Sequence, residues 1–557
     1  MSTSHARGEG QRRGVASTPE RSPRRVVGAA LLALLAGSCA ARRAPTEPPP
    51  VALEPIPVSD PGSALPEGWQ RGVFMEIYVR GYQDSDGDGV GDLRGVIQRL
   101  DYLAELGVAG LWLMPVTASE DHDHGYAVAD YRAVEPDYGA LEDLDALVAA
   151  AHARGIGVIL DYVLNHSAAA HPAFLRSQRG EEDPFRAWYL WEKPPPQGWR
   201  IYGGDPWRVS LSSAGSAYFA GFSDRMPDFN LRNPEVVRWH HDNLRFWLNR
   251  GIDGFRFDAV GNLVENGPAA WENQPENHLL LGEVRQLAEA YERRFLVCEA
   301  PADPPAYAAA SSCGAAFAFG RQGVFVAAAR GDRGAILELA SLMRAPTPGL
   351  VPFASNHDAF AGERLFDQLG GDVALLRLAA ATYLLQPGPA FIYYGEEIGL
   401  AGAATLQGDA RLRTPMSWTG DRRTGGFTTA QPFRALARNV EAFNVAAQLA
   451  DAGSLLTFYR RLLALRRAVP ALAAGVDDLV TAQDQVLHLR RSLGGSHAVI
   501  AFNYGASAAP ALLAGLPAGA ALAPAFPPEL ASVTVDGQGR ATVALPARAV
   551  AVFTYQD

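Results

Sequence analysis

The chain has only three cysteines in 557 residues, Cys39, Cys298 and Cys313. That is too few for a disulfide framework and the wrong spacing for a zinc site. Cys298 lies in an apolar, strand-like run and reads as a buried thiol, with a bridge to Cys313 allowed but not required. Positive charge is not in excess either. Against 49 Lys and Arg stand 60 Asp and Glu, a net charge of −11, which excludes a surface that wraps nucleic acid. A neutral ligand such as a sugar needs no charge match. No apolar run is long enough to span a bilayer, since "VVGAALLALLAG" is short and follows Arg12, Arg13, Arg21, Arg24 and Arg25, as in a signal peptide. There is no solenoid repeat. The first strand-like run is followed by "YVRGYQDSDGDG" and not by a phosphate-cradling G-x-G-x-x-G, which argues against a doubly wound open sheet.

What is present begins with that leader. Residues 1–39 end in "LAGSC", which resembles a bacterial lipoprotein box with Cys39 as the lipidated residue. The expectation is an extracytoplasmic protein, lipid-anchored to a bacterial membrane at the periplasm or cell surface. Residues 40–68 are Pro-rich and read as a semi-extended tether. From Trp69 short β-branched and aromatic runs alternate with longer amphipathic segments. The runs lie at 73–79, 110–116, 157–163, 251–258, 294–300, 315–320, 350–355 and 390–395. Eight strands, each followed by a helix, predict an α/β fold, a (β/α)8 TIM barrel, over 69–166 and 227–472. An irregular insert follows strand 3 at 167–226, with Trp188, Trp191, Trp199 and Trp207 either stacking sugar rings or forming its own core. Alternating runs over 473–557 predict a C-terminal antiparallel β-sandwich.

Active sites of such barrels lie at the C-terminal ends of the strands. There the sequence places three carboxylates: Asp258 ends "GFRFD", Glu299 follows "LVC" and Asp358 ends "FASNHD". Arg256, His166 and His357 stand beside them. Singly each carboxylate reads as a solvated loop residue. Together on one rim they suit glycoside cleavage, in which one carboxylate attacks the anomeric carbon and another protonates the leaving oxygen. A neighbouring arginine keeps the attacking carboxylate ionised.

The motifs "DYVLNH", "GFRFDAV", "CEA" and "FASNHD" resemble the four signature regions of the α-amylase family, glycoside hydrolase family 13, and "GLWLMPV", "HGYAVADY", "MPDFN" and "YYGEEIGL" extend the likeness over roughly residues 70–470. The resemblance implies Asp258 as nucleophile, Glu299 as general acid/base and Asp358 as stabiliser of the transition state. It implies that Arg256 orients Asp258 and that Tyr126, His124, His166 and His357 bind the sugar. Retention of configuration implies that Asp258 and Glu299 stand ~5–5.5 Å apart. "MPDFN" resembles the intermediary group between oligo-1,6-glucosidase-like and neopullulanase-like members, which includes lipoprotein α-amylases. Ala259 after the nucleophile favours α-1,4 bonds over α-1,6. Ala127 replaces an Asp that helps close the pocket of exo-acting relatives, which leaves an open cleft available. "RLRTPMSW" (411–418) resembles a segment lining the entrance in α-glucosidases and trehalose synthases. The expected activity is retaining cleavage of α-1,4 bonds in starch, maltodextrin or related α-glucans. The alternatives are an α-glucosidase or glucan transglycosylase, and a non-catalytic glucan-binding protein.

The stretch "DSDGDGVGD" (84–92) shares Asp at positions 1, 3 and 5 with an EF-hand, but Gly95 holds the place of the bidentate ligand and a strand precedes it where a helix is needed. It resembles the first βα connection of oligo-1,6-glucosidase-like relatives. There Asp84, Asp86, Asp88, Asp92 and the carbonyl of Val90 would hold one structural Ca2+.

Overall fold

The computed structural model describes residues 48–213 and 215–556. The leader and Cys39 lie outside them. The architecture is a parallel barrel of β1 (Val73–Ile77), β2 (Gly110–Leu113), β3 (Gly157–Val163), β4 (Gly254–Asp258), β5 (Phe295–Cys298), β6 (Ala316–Phe317), β7 (Leu350–Val351) and β8 (Ala390–Tyr393). The strands pair in the order β7-β6-β5-β4-β3-β2-β1-β8. A parallel bridge from Phe353 to Phe391 closes the ring between β7 and β8.

The two-residue period of a strand decides what faces the barrel axis. Val73, Met75 and Ile77 belong to the core shared with the helices, while Phe74 belongs to the inner core with Trp112, Phe317 and Phe391. Phe74 stacks on Phe391 at 4.9 Å and Trp112 lies 5.2 Å from Phe317. This aromatic floor leaves the next inward positions, Glu76 and Arg256 among them, on a dry platform beneath the rim.

Two expectations change in detail. The helical stretch after β1 divides at Arg99 into α1 (Leu93–Gln98) and α2 (Leu100–Leu106). Arg99 leaves helical geometry and lies over the Trp418 ring at 4.0 Å. The Pro-rich stretch is extended but not free from Ala52 onward. Side chains of α3 (Pro234–Asn249) satisfy its backbone: Trp239 Nε1 donates to Ala52 O, Asp242 accepts from Ile56 N and Asn249 Nδ2 donates to Pro57 O, at 3.0, 2.9 and 2.9 Å. Prolines lack the N–H groups for a ladder, so their carbonyls are served by neighbouring side chains. Leu65 and Trp69 then seal the lower end of the barrel core.

Cys298 and Cys313 are disulfide-bonded with Cα atoms 6.2 Å apart, which corrects the buried-thiol reading. The crossover returns beside β5, where Cys298 N–H donates to Ala315 O. After the barrel, one six-stranded and one two-stranded antiparallel sheet enclose a separate apolar core that includes Val499, Leu513, Val543 and Phe553. Among the described residues no helix is long and apolar enough to cross a membrane.

Candidate active site

Arg256 is the hub of the rim. It sits at an inward position of β4, is buried, and its two terminal nitrogens reach separate carboxylates. Nη1 donates to Asp258 Oδ1 and Asp161 Oδ1, each at 2.7 Å, and Nη2 donates to Glu299 Oε2 at 2.6 Å. Nη1 also lies 3.2 Å from the Tyr126 hydroxyl. A planar fork can span two carboxylates where an ammonium cannot.

Glu299 follows the end of β5, and its Oε2 accepts a second hydrogen bond, 3.1 Å, from Ala259 N–H. Ala259 pays for that bond with a left-handed backbone, φ 45°. With Oε2 doubly occupied, Oε1 is the oxygen left to carry a proton. Burial raises the Glu299 carboxyl to about 7, Arg256 opposing and the charges of Asp258 and Asp358 assisting. Burial also raises Asp258, with Arg256 as the main opposing influence. Arg256 and Ala259 N–H both occupy Oε2 of Glu299, whereas Asp258 keeps Oδ2 free of Arg256.

Asp358 is held differently. Its burial is outweighed by His357 and Arg413, which keep it well below the usual carboxylate range. Arg413 Nη2 donates to Asp358 Oδ1 at 2.9 Å and Arg413 Nε to the His357 carbonyl at 3.0 Å. His357 has a carboxylate at each ring nitrogen: Glu76 Oε1 lies 2.5 Å from Nδ1 and Asp358 Oδ2 3.1 Å from Nε2. Two acceptors require two N–H groups, so His357 is an imidazolium. Burial disfavours that charge, but Asp358 and Glu76 override it and raise the group to about 10. The Tyr126 hydroxyl donates to Asp161 Oδ2 at 2.9 Å and accepts from His357 Nε2 at 2.8 Å.

The other expected sugar contacts lie on the same rim. The His124 ring tilts against Tyr126 at 5.6 Å. His166 is buried and pushed down to about 4, hence neutral, and its Nε2 has no protein partner. The His166 ring lies 5.3 Å from Phe222. The insert tryptophans pack against protein: Trp188 against Phe185 and against Trp239 of α3, and within the insert Trp191 on Phe174 and Trp199 against Trp207 and Phe219. A different aromatic group meets solvent. Tyr202 is 62% exposed, stacks on Phe222 at 5.5 Å and meets Trp271 at 5.3 Å.

Glu76 and Asp123 were not singled out by the sequence reading. A charged residue inside the apolar run "VFMEIYV" is the signal that marks Glu76. Asp123 offers none, because its partner Arg434 is far away in the chain.

In the loop after β1, ligand oxygens of Asp84, Asp86 and Asp88 converge within 4.8 Å of one another. Asp92 is not part of that group: its carboxylate caps α1 through Gly95 N–H and takes Ser85 N–H. Gly89, at φ 98°, backs onto the 427–433 segment so closely that a Cβ would meet Gln431 O at 2.2 Å. Phe433 N–H donates to Gly89 O and Asp84 N–H to Phe427 O.

The chain matches the alpha amylase catalytic-domain family over residues 76–475. It is 34% identical over 495 residues to the trehalose synthase/amylase TreS of Mycobacterium tuberculosis, covering 78% of this chain and 80% of that protein. It is 33% identical over 483 residues to the trehalose-6-phosphate hydrolase of Escherichia coli, covering 74% and 86%. The crystal structure of an alpha-glucosyl transfer enzyme, XgtA, superposes with a TM-score of 0.75 at 32% identity, covering 88% of this chain and 99% of that one.

Proposed function

Because the chain belongs to the α-amylase family, glycoside hydrolase family 13, and is an enzyme acting on glucans or oligosaccharides, we propose that it transfers the glucosyl group of short α-glucosides with retention, as an α-glucosidase or transglucosylase. The observation that carries the chemistry is the Arg256 fork, one guanidinium bonded to both Asp258 and Glu299. Asp258 Oδ2 attacks the anomeric carbon while the Glu299 proton passes to the leaving oxygen, giving a glycosyl ester and a free sugar. Glu299, now a carboxylate, takes a proton from water or from a sugar hydroxyl, and that oxygen displaces Asp258. Asp358 and imidazolium His357 bind ring hydroxyls at the oxocarbenium-like transition state, and Tyr126 lies under the sugar.

Cleavage of starch α-1,4 bonds gives way here to its alternative. Relatives named for trehalose synthesis, trehalose-6-phosphate hydrolysis and glucosyl transfer support that choice, as does Arg413 of the "RLRTPMSW" segment bonded to Asp358. The test is product analysis on maltose, trehalose, isomaltose and soluble starch. Glucose or a new disaccharide from the disaccharides is expected. Starch cut to mixed oligosaccharides with the disaccharides untouched would refute the reading.

The acidic loop fits a structural Ca2+ through Asp84, Asp86 and Asp88: three hard oxygen ligands converge, and after burial the charges of Asp86 and Asp84 raise the Asp88 carboxyl. The ion would staple the loop and takes no part in the reaction. An extracytoplasmic, lipid-anchored location remains our reading of Cys39. The Cys298–Cys313 bond supports an oxidising compartment. Release of Cys39→Ser protein from membranes is the expected result, and its retention would count against the anchor.

A further inference from the structure

We propose that His122, Glu135 and Asp137 form a binding site for a divalent transition metal of zinc's class, separate from the acidic loop after β1. Between β2 and β3 the chain makes a hairpin, Thr117–Ser119 paired antiparallel with Val128–Val134. His122 lies on its connecting loop. Glu135 and Asp137 directly follow its return strand, with Pro136 fixing the backbone between them. The hairpin thus folds His122 back onto a carboxylate 13 positions later. One ligand atom from each of the three residues lies within 4.8 Å of the others. His122 Nδ1 stands 3.2 Å from Glu135 Oε1. Two ligands ~2.0–2.1 Å from a tetrahedral Zn2+ stand ~3.3 Å apart, so this pair already has the spacing of a tetrahedron's edge.

The donors point to the same ion. Glu135 is only 3% exposed, and a carboxylate so placed calls for a cation. Its Oε2 accepts Ser119 N–H at 2.8 Å. Among the described residues Oε1 has no partner but His122, which is also the only cationic group within ion-pair reach of Glu135. Asp137 is tied to Arg80 through Oδ2, which leaves Oδ1 for an ion. Metal-binding carboxylates are held by outer partners of this kind. The His122 side chain is 68% exposed, so an ion enters from solvent and keeps water as its fourth ligand. One imidazole and two carboxylates are a poor set for Ca2+, which takes roughly six to eight oxygens, whereas imidazole suits zinc and its neighbours. The bound ion would tie the loop of His124 and Tyr126 to the foot of its hairpin. Asp121 already stiffens that loop by accepting the N–H groups of Asp123, Gly125 and Ala127 at 2.9, 2.9 and 3.0 Å.

The experiment uses the full chain, stripped with chelator and returned to excess Ca2+ so that the acidic loop is filled. Titration with Co2+ should give a single bound equivalent with the intense visible absorption of a tetrahedral ion, and Zn2+ should displace it. His122→Ala, at an exposed position, and Glu135→Gln should each weaken Co2+ binding at least ~100-fold and lose the absorption. Asp86→Asn, in the acidic loop, should change neither. A wild type that binds no Co2+, or binds it only with the faint spectrum of an octahedral ion, would overturn the proposal and needs no variant. So would undiminished binding by His122→Ala protein, or loss of binding in Asp86→Asn. None of these readings depends on activity, so their failure would leave the proposed glucosyl transfer standing.

Discussion

Arg256→Lys puts the most weight on the geometry. The guanidinium holds Asp161 and Asp258 through Nη1 and Glu299 through Nη2, at 2.6–2.7 Å. A lysine ammonium keeps the positive charge but has one nitrogen, so it cannot reach Asp258 and Glu299 together. Each charge-assisted bond is worth ~1.5–3 kcal/mol. Losing one end of the fork, in a buried site, should therefore cost ~3 kcal/mol of transition-state stabilisation, or ~100-fold in kcat/KM. The pH profile carries a second signature. Asp258 must be ionised to attack, and Arg256 is the main influence opposing the rise that burial imposes on it. Weakening that influence raises Asp258 further and moves the acidic limb to higher pH. Arg256 also holds down Glu299, now at about 7, so the basic limb moves up as well. Initial rates on an aryl α-glucoside from pH 4 to 9, with circular dichroism to confirm folding, test both effects. Unmoved limbs with kcat/KM within ~3-fold of wild type would refute the fork as the element that sets the two carboxylates.

With α-glucosyl fluoride as donor and azide as acceptor, Asp258→Ala should form β-glucosyl azide by direct displacement, and Glu299→Ala the α-anomer from the glycosyl ester; the opposite anomers would exchange the two roles. Glu76→Gln keeps an acceptor for His357 Nδ1 but removes a charge that helps raise the imidazole to about 10. The stability given by a raised pKa is complete below the ordinary histidine range and is lost as pH rises through about 10, so the variant's melting deficit should be largest near pH 6 and shrink towards pH 10. A deficit independent of pH would contradict the imidazolium. Chelation should lower the melting temperature by ~3–5 °C, reversed by Ca2+, with little change in kcat; an unmoved melting temperature would remove the calcium staple.

Residues that end an apolar strand were readable without a structure, because strand period and barrel topology together fix where Arg256, Asp258, Glu299 and Asp358 point. The same logic was available for Glu76, a carboxylate at an inward position of β1, and finding it needs only the question of what neutralises a charge there. The tryptophans of the insert were ambiguous for a physical reason: stacking on a sugar and packing in a small core select the same residue type, and only neighbours such as Phe174 and Phe219 distinguish them. Cys298 and Cys313 pair because the chain returns beside β5 within one crossover, a return that the spacing permits without requiring.

Ala127 shows where a local motif stops short of the pocket. A missing carboxylate at one position implies an open pocket only if no other residue can reach the same space. Asp123 lies on the same loop, but its partner Arg434 is 311 residues away in sequence, so no spacing rule connects them. Arg434 is held in place by a second long-range contact: Phe433, its neighbour, donates its N–H to Gly89 in the acidic loop. Hydrogen bonds thus link that loop, the 427–434 segment and the loop that carries Tyr126. If Ca2+ binds the loop, its removal should therefore loosen the wall that carries Tyr126 and raise KM, while leaving Asp258 and Glu299, held by Arg256 inside the barrel, in register. A chelated enzyme that loses stability but keeps its KM would show that the wall stands without the loop.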